Sequence, residues 1–544
     1  MLLFNRSRLT SNKCYPNQYG PKITYREDLA SDIKNVTITF TMSYLAHRFR
    51  TVSSQFYMAA RNMHLLNTKA FINGEWDTAS NQKTFEVKNP ANGQVVATVP
   101  DMDVNDVQKA IDAASEAFKK WHKTTAKERG QILRKWYDLL NANSESIAKI
   151  MTAESGKPLL ESNAEVVYGN SFVEWFSEET RRIRGETIPS SVPNKKIIIE
   201  KQPIGVVGLI TPWNFPHAMI TRKAAAALAA GCTCVIKPAE DTPLTALTLA
   251  HLAQEAGVPN GVINVITCDR SNAPAVGKLL CESPQVAGIS FTGSTQVGKL
   301  LYEQCARHIK RVGLELGGNA PFIVFNSANV DNAVRGAMAS KFRNCGQTCV
   351  SANRFLVQEK VYNDFVNKFA AEIKKIKLGD GIQPGVTNGP LINIAQFEKV
   401  KSIVEDAKNK GAKIVVGGTP AKGLGELFYE PTLMVDIKED MLVYKEEVFG
   451  PVAAIIKFET EDEAIEIANS TERGLAGYFY SEDVSQIFRV GKAMEVGMVG
   501  INEGMISCAE APFGGIKESG VGREGSHHGI DEYTYIKYLC VGNL

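Results

Sequence analysis

Short apolar runs and helical segments alternate through the centre of the chain, with only a few residues between them. The runs 204–210, 233–236, 262–266 and 289–292 are predicted strands, and the stretches 218–230 and 243–256 are predicted helices. Gly231 ends the first helix and Thr242 is the expected N-cap of the second. Alternation with short connections predicts a doubly wound, parallel α/β sheet. Ligands of such sheets bind at the carboxyl ends of the strands.

A second α/β unit is predicted after Glu315. It contains the apolar runs 322–325 and 453–458 as strands and the segments 361–376 and 394–408 as helices. Nearer the N-terminus, Asp103 is the expected N-cap of a helix whose apolar residues follow helical spacing to Phe118. The tail 533–541 is rich in Tyr, Ile, Leu and Val and is a predicted strand. A chain of 544 residues has room for two or three such units.

Charge and composition exclude several classes of function. The chain has 61 basic and 59 acidic residues and a net charge of +2, so no general basic field favours nucleic acid. The longest apolar stretch, 224–236, is shorter than the roughly 18 residues of a membrane span. Ten cysteines form no CxxC pair, so we predict free thiols in a reducing compartment and no metal site.

The N-terminus has a different composition. Residues 33–74 contain no Asp or Glu, and the segment that starts at Met42 mixes Arg, Ser and apolar residues. This composition is typical of a mitochondrial transit peptide. Because the acidic residues Glu27, Asp28 and Asp32 precede it, Met42 is our hypothetical physiological start. A tail of no function is the open alternative, and residues 1–68 are excluded from the fold prediction.

Three segments that contain Gly or Pro carry residues whose side chains can act together in one reaction. Cys349 lies in KFRNCGQTCVSANR, Glu315 in LELGGNAP and Asn214 in TPWNFP. A thiolate that attacks a carbonyl, an amide that holds the oxyanion and a carboxylate that activates water together suit acyl chemistry. The thiol needs a lowered pKa or a base, and burial of the carboxylate should raise its pKa. An inert buried cysteine and an Asx turn remain open alternatives.

Two further segments are candidates for binding a nucleotide. Gly293, Ser294 and Gly298 in FTGSTQVG form a candidate phosphate turn before a helix, although a plain tight turn has the same signature. In VIKPAEDTP a strand leads directly to Lys237 and Glu240. A carboxylate there accepts both ribose hydroxyls and repels a 2′-phosphate, which favours NAD over NADP. A solvated charge pair is the alternative.

These segments resemble the signatures of the aldehyde dehydrogenase superfamily, and the similarity extends from about Phe71 to Leu544. The resemblance implies a Rossmann-type NAD-binding domain (69–185 and 205–314), an α/β catalytic domain (315–517) and a small β oligomerisation element (186–204 and 531–544). It also implies that the tail pairs with a strand hairpin near 195–201 of another subunit, and that the protein is a homotetramer.

The resemblance also implies a mechanism and a set of site residues. Cys349 attacks the aldehyde, Asn214 and the Cys349 N–H hold the oxyanion, and Glu315 activates the water that releases the acid. Glu447 matches a ribose contact and Phe449 a residue near the nicotinamide ring. The implied NAD-binding residues are Thr211, Pro212, Trp213, Lys237, Glu240, Gly293, Ser294, Gly298, Glu447 and Phe449.

Longer runs such as PFGGIKESGVGREGS resemble the succinate-semialdehyde dehydrogenase subfamily, whose carboxylate-binding positions match Arg222, Arg343 and Ser507. The implied function is oxidation of succinic semialdehyde in γ-aminobutyrate degradation, in the mitochondrial matrix. A dehydrogenase of a longer semialdehyde, such as glutarate semialdehyde, and an inactive structural member are the alternatives. Ser351 replaces the second cysteine of a disulfide switch found in some members, and a redox role for Cys345 stays open.

Overall fold

A computed structural model describes residues 65–544, so the predicted transit peptide and Met42 lie outside the described residues. None of the helices described is long and apolar enough to cross a membrane. The helices are α1 (Val104–Trp121), α2 (Ala126–Ala142), α3 (Ser144–Ser155), α4 (Leu159–Glu179), α5 (Ala218–Ala230), α6 (Pro243–Glu255), α7 (Ala273–Glu282), α8 (Thr295–Ala306), α9 (Val330–Phe342), α10 (Glu359–Ile373), α11 (Ile394–Asn409), α12 (Leu442–Lys445), α13 (Glu461–Asn469), α14 (Val484–Ala493) and α15 (His528–Asp531).

The strands are short and fall into several sheets. They are β1 (Ala70–Ile72), β2 (Glu75–Asp77), β3 (Thr84–Lys88), β4 (Val95–Pro100), β5 (Glu186–Ile188), β6 (Lys195–Pro203), β7 (Val206–Ile210), β8 (Thr233–Lys237), β9 (Ile263–Val265), β10 (Val286–Thr292), β11 (Arg311–Glu315), β12 (Pro321–Val324), β13 (Arg354–Gln358), β14 (Lys413–Val416), β15 (Thr432–Val435), β16 (Val452–Phe458), β17 (Arg473–Gly474), β18 (Ala476–Tyr480), β19 (Met498–Ile501), β20 (Ile516–Lys517), β21 (Gly520–Val521) and β22 (Thr534–Gly542).

The largest sheet has the order β2-β1-β9-β8-β7-β10-β11-β21. Its five central strands, from β9 to β11, are parallel, and antiparallel strands flank them on both sides. Helices connect the central strands, so the predicted doubly wound α/β fold is confirmed. Strands β7, β8 and β9 are buried along their whole length, which explains their mainly apolar sequences.

A second sheet has the order β14-β15-β16-β13-β12-β18-β19. All its pairs are parallel except β14 with β15. The runs predicted as strands at 322–325 and 453–458 are β12 and β16. Helices α10 and α11, also predicted, pack against this sheet through residues such as Phe365 and Val400.

The expected partner of the C-terminal strand was wrong. Strand β22 pairs with β6 of the same chain, from Thr534 opposite Pro203 to Gly542 opposite Lys195. The other edge of β6 pairs with β5. Both edges of β6 are therefore occupied within one chain, and no strand from another subunit is needed to complete this three-stranded sheet.

Local signals set most helix ends. Asp103 forms the predicted N-cap of α1 as part of a capping box with Asp106. Gly231 ends α5 with φ = 100°, in the left-handed region that favours glycine. Thr242 lies at the N-cap of α6, but its hydroxyl forms no capping bond. The expected cap is wrong in this detail, because Glu154 accepts the N–H of Leu244 at 2.7 Å instead.

Candidate active site

Cys349 lies on a loop that follows α9 and has an unusual backbone. Asn344, Cys345 and Gly346 have φ values of 51°, 56° and 73°. Two consecutive non-glycine residues in the left-handed region are strained and need outside support. Glu161 of α4 provides part of it by accepting the Asn344 N–H at 2.8 Å. This support fixes the path of the chain immediately before the candidate nucleophile.

Asn214 is joined to that loop by hydrogen bonds. Its side-chain Nδ2 donates to the carbonyl of Gln347 at 3.1 Å, and its own carbonyl accepts from Asn344 Nδ2 at 2.9 Å. Asn214 is only 3% exposed and follows β7 in the turn predicted from TPWNFP. The turn after a central strand and the loop of Cys349 therefore form one hydrogen-bonded unit.

Glu315 is the last residue of β11, at the carboxyl end of a strand in the large sheet. It is 3% exposed, and its Oε2 has no hydrogen-bond partner. Burial and the nearby Glu524 raise the pKa of Glu315 well above its ordinary value, although Arg222 and Lys223 oppose the shift. A buried carboxyl with one free oxygen and a raised pKa has the properties of a general base, as the sequence predicted.

A cavity of about 440 Å³ brings the three candidate catalytic residues together. Cys349, Glu315 and Asn214 all line it. Six predicted cofactor residues line it as well: Pro212, Trp213, Gly293, Ser294, Glu447 and Phe449. Thr211, Lys237, Glu240 and Gly298 lie outside this lining. A volume of this size suits a small organic ligand.

The thiol of Cys349 is not activated by its surroundings alone. Burial raises its pKa to about 12, and the opposing effects of Arg222 and Arg343 are smaller. The sequence required either a lowered pKa or a base, and the first option is excluded for this arrangement. Deprotonation of the thiol therefore needs a proton acceptor. Glu315 lines the same cavity with an unbonded Oε2 and is the candidate base for the later attack by water.

Two glycines are required where the catalytic segments meet. A Cβ on Gly317 would lie 2.6 Å from Oε2 of Glu447, and one on Gly318 would lie 2.8 Å from the carbonyl oxygen of Cys349. The Gly318 N–H donates to Oε1 of Glu447 at 3.0 Å. The glycine pair after Glu315 therefore allows the cofactor-side carboxylate and the nucleophile loop to approach the end of β11.

Arg222 belongs to a buried ionic cluster on α5. Its Nε donates to Glu524, and Lys223 bonds the other oxygen of the same carboxylate. The guanidinium lies 4.1 Å from the ring centroid of Phe513, and its Nη2 has no hydrogen-bond partner. The surface alternative for Arg222 is excluded, because the residue is 1% exposed. Sequence reasoning missed Lys223 and Glu524.

A second, narrower crevice lies beside the nucleophile. Arg343 and Ser507 line it together with Thr348 and Val350, the two residues that flank Cys349. Chain neighbours of Cys349 thus face this crevice, while Cys349 itself lines the larger cavity. The segment around the nucleophile therefore borders two spaces. Predicted cofactor residues line the larger cavity, and two of the three predicted substrate residues line the crevice.

Tyr168 of α4 connects the predicted substrate residues, and the sequence did not reveal it. Its phenol is close enough to Arg222, Arg343 and Ser507 for all three to lower its pKa, although burial produces a net rise. The Arg343 guanidinium lies 5.0 Å from the ring centroid of Phe215. Two cations, a hydroxyl and a phenol therefore surround the space near Cys349.

The cofactor side has features that fit a nicotinamide dinucleotide. Trp213 and Phe449 form an edge-to-face pair with ring centroids 5.5 Å apart. Phe449 has φ = 55°, a conformation that a bulky residue rarely adopts, and Gln396 donates to its carbonyl at 2.9 Å. The buried hydroxyls of Thr211 and Thr292 have no partner. Unsatisfied buried donors and an aromatic wall suit a polar, planar ligand.

The other predicted cofactor residues have identifiable structural positions. Lys237 ends β8 and forms an ion pair with Glu240 at 3.5 Å. Lys237 is 6% exposed, so the fully solvated alternative does not apply to it. Ser294 is the N-cap of α8, and its hydroxyl accepts the N–H of Val297. Gly298 packs closely against Leu316, where a Cβ would not fit.

Comparison with known proteins gives a consistent family match. Residues 76–539 match the model of the aldehyde dehydrogenase family. The chain is 55% identical over 488 residues to human mitochondrial succinate-semialdehyde dehydrogenase, covering 90% of this chain and 91% of that protein. It is 52% identical over 487 residues to the glutarate-semialdehyde dehydrogenase of Pseudomonas aeruginosa, covering 90% of this chain and all of that protein.

Solved structures share the fold. A crystal structure described as an E. coli NADP-dependent enzyme is 53% identical, with a TM-score of 0.86, and the match covers 88% of this chain and 98% of that one. The Staphylococcus aureus betaine aldehyde dehydrogenase in complex with NAD⁺ is 36% identical, with a TM-score of 0.86 and coverage of 90% and 98%. The expected fold is confirmed.

Proposed function

The chain belongs to the aldehyde dehydrogenase family, and we propose that it oxidises succinic semialdehyde to succinate with NAD, as a step of γ-aminobutyrate degradation. The observation that carries the proposal is the position of Cys349, between a cavity shared with Glu315 and Asn214 and a crevice lined by Arg343 and Ser507. The human relative, which is 55% identical over 90% of this chain, is named for this substrate.

The proposed reaction passes through a thioester on Cys349. The thiol of Cys349 gives its proton to water in the cavity, and its Sγ attacks the aldehyde carbon. The free N–H of the Asn214 carboxamide and the Cys349 backbone N–H hold the oxyanion. NAD, when bound, accepts the hydride that leaves the tetrahedral carbon. Glu315 then takes a proton from water, the hydroxide attacks the thioester, and the C–S bond breaks to release the acid and the thiol.

NAD is the cofactor that the residues on the cavity side suit. Trp213, Phe449 and Glu447 supply an aromatic wall and a half-buried carboxylate. Glu240 supports NAD over NADP, because a carboxylate repels a 2′-phosphate. Lys237 forms an ion pair with Glu240 and offsets part of that repulsion. The protein should therefore prefer NAD without fully excluding NADP. Assays with both cofactors measure the size of this preference.

The substrate class follows from the buried cations. Arg222 has a buried Nη2 donor without a partner, and a buried unpaired donor is costly unless a ligand accepts from it. Arg222, Arg343 and Ser507 together supply donors for a carboxylate, which supports a semialdehyde with a terminal acid over a neutral aldehyde. Glutarate semialdehyde is the second candidate, because the Pseudomonas relative is named for it.

We propose a homotetramer in the mitochondrial matrix. Ile536 and Tyr538 of β22 are 69% and 60% exposed, and β22 has no second neighbouring strand among residues 65–544. An exposed apolar edge strand favours pairing with another chain. The acid-free segment after Met42 and the mitochondrial human relative support the location. We keep the division into a cofactor domain (69–185, 205–314), a catalytic domain (315–517) and oligomerisation strands (186–204, 531–544).

The test compares aldehydes and cofactors directly. The purified protein, truncated before Met63, is assayed for NADH or NADPH formation with succinic semialdehyde, glutaric semialdehyde and propanal. The proposal expects the highest kcat/KM for succinic semialdehyde with NAD. Activity on propanal alone would remove Arg222 and Arg343 from the substrate site, and no activity with any aldehyde would favour an inactive, structural family member.

A further inference from the structure

Lys157 lies between α3 and α4 and is buried beneath the turn that contains Asn214. It is 3% exposed. Its ammonium donates to the backbone carbonyl of Asn214 at 2.7 Å and bonds the carboxylate of Glu165. It also lies 4.5 Å from the ring centroid of Phe215. A buried cation is thus bound directly to the main chain of the candidate oxyanion donor.

Glu165 neutralises this cation and also fixes the next helix. Its Oε1 accepts the backbone N–H of His217 at 2.9 Å and that of Ala218 at 3.3 Å. These N–H groups are at the start of α5, where helices lack internal acceptors. The Lys157–Glu165 pair therefore contacts the chain on both sides of Phe215, before and after the turn.

The polar groups of Asn214 are almost fully committed. Its carbonyl accepts from Lys157 and from Asn344, its Oδ1 accepts the Phe215 N–H at 3.1 Å, and its Nδ2 donates to Gln347. A carboxamide has two N–H donors, so one remains for a ligand. The position of that remaining N–H depends on where the backbone of Asn214 is held.

We propose that Lys157 is a positioning residue for the oxyanion donor. By holding the carbonyl of Asn214, its ammonium places the free carboxamide N–H where the oxyanion forms during attack by Cys349. The inference rests on the proposed function. An oxyanion donor acts only when it is correctly placed, and a displacement of about 1 Å can cost about 100-fold in rate.

A purely structural role for the buried ion pair predicts something different. Loss of the pair would then slow the enzyme or destabilise it to the same extent whether or not Asn214 has a carboxamide. A double-mutant cycle separates the two roles, because only a positioning residue loses its effect when the group it positions is removed.

The experiment measures the rate constant of NADH formation in a single turnover with enzyme in excess over succinic semialdehyde. Four full-length proteins are compared: the unmodified protein, Lys157→Met, Asn214→Ala and the double variant. We expect Lys157→Met to lower the rate constant by at least about ten-fold alone and by less than about two-fold in the Asn214→Ala background. The Kd of NAD should change by less than about two-fold in both. Lys149→Met, which removes a partly exposed lysine of α3, is the matched control and should have no effect.

Removing Lys157 alone leaves Glu165 as an unpaired buried charge, which can prevent folding. Lys157→Met/Glu165→Gln removes both charges and keeps an acceptor for the N–H groups of α5. If Lys157→Met does not fold, this double variant takes its place in the cycle. Equal fold-losses in both backgrounds, or no loss in either, overturn the positioning role while leaving the proposed function intact. If the unmodified protein forms no NADH, the proposed function fails first and this inference fails with it.

Discussion

Arg222 donates its Nε–H to Glu524 and leaves its own Nη2 without a hydrogen-bond partner. The bond to Glu524 fixes the guanidinium, and the unpaired nitrogen leaves a buried donor available. Arg222 also acts on the chemistry, because its charge opposes the rise in pKa of both Cys349 and Glu315. One residue therefore combines an available buried donor with an electrostatic effect on the candidate nucleophile and base.

Replacing Arg222 should change selectivity between aldehydes. We expect Arg222→Met to lower kcat/KM for succinic semialdehyde by about 10- to 100-fold, because a charge-assisted hydrogen bond contributes about 1.5–3 kcal/mol. Propanal has no carboxylate, so its kcat/KM should fall only through the changed pKa of Cys349 and Glu315 and therefore less than that of succinic semialdehyde. Steady-state kinetics with both aldehydes measure the ratio, and Arg134→Met, an exposed arginine of α2, is the control. Equal losses with both aldehydes would remove Arg222 from the substrate site.

Glu240 should govern the choice between the two cofactors. Without the carboxylate, Lys237 beside it becomes an unpaired cation that attracts a 2′-phosphate. We expect Glu240→Ser to raise the ratio of kcat/KM for NADP to that for NAD by about ten-fold or more. Glu255→Ser, which changes an exposed carboxylate on α6, should leave the ratio unchanged. An unchanged ratio in Glu240→Ser would mean that this residue does not contact the ribose.

The thiol of Cys349 should react slowly at neutral pH. Since its pKa is about 12 in the free enzyme, the thiolate fraction rises about ten-fold for each pH unit below that value. The rate at which iodoacetamide alkylates Cys349 should therefore increase between about pH 7 and 9 without reaching a plateau. Mass spectrometry of the Cys349 peptide measures this rate. The exposed Cys508 is an internal comparison in the same digests. A plateau for Cys349 near pH 8 would show that its thiolate is stabilised.

Several features of the fold and the site were predictable, because they depend on residues that lie close together in the sequence. Ala218–Ala230 is a helix that stops at Gly231, and Glu315 is buried among the apolar residues that precede it, as expected. The turn at Gly293 was also predicted, because a strand, a glycine and a helix start follow one another in the chain, and its binding of a nucleotide stays a prediction.

Long-range pairing was not predictable in the same way. Glu524 lies 302 residues from Arg222 in the sequence, and no local pattern marks it as the partner. The tail β22 was correctly predicted as a strand, but it was expected to pair with a hairpin of another subunit. Its pairing partner depends on the three-dimensional path of the chain, which no local pattern reveals. The capping of α6 by Glu154 instead of Thr242 has the same cause, because the competing carboxylate comes from α3.

Hydrolysis of the acyl-enzyme should depend on pH through Glu315. The pKa of Glu315 is raised well above its ordinary value by burial and by Glu524, so the basic, ionised form increases as the pH rises through that raised value. Hydrolysis of the preformed thioester, measured as product release in a single turnover, should therefore accelerate with rising pH. In Glu315→Gln it should be slower by about 100-fold or more and insensitive to pH. A flat profile with Glu315 present would assign the base to another group.

The central claim is that succinic semialdehyde becomes a thioester on Cys349 before it is released as the acid. The most direct measurement is mass spectrometry of the Glu315→Gln protein after mixing with NAD and succinic semialdehyde, with Cys349→Ala as the control. The account predicts one equivalent of NADH and a succinyl group on the Cys349 peptide alone. NADH without an acyl adduct, or an adduct on another cysteine, would contradict it.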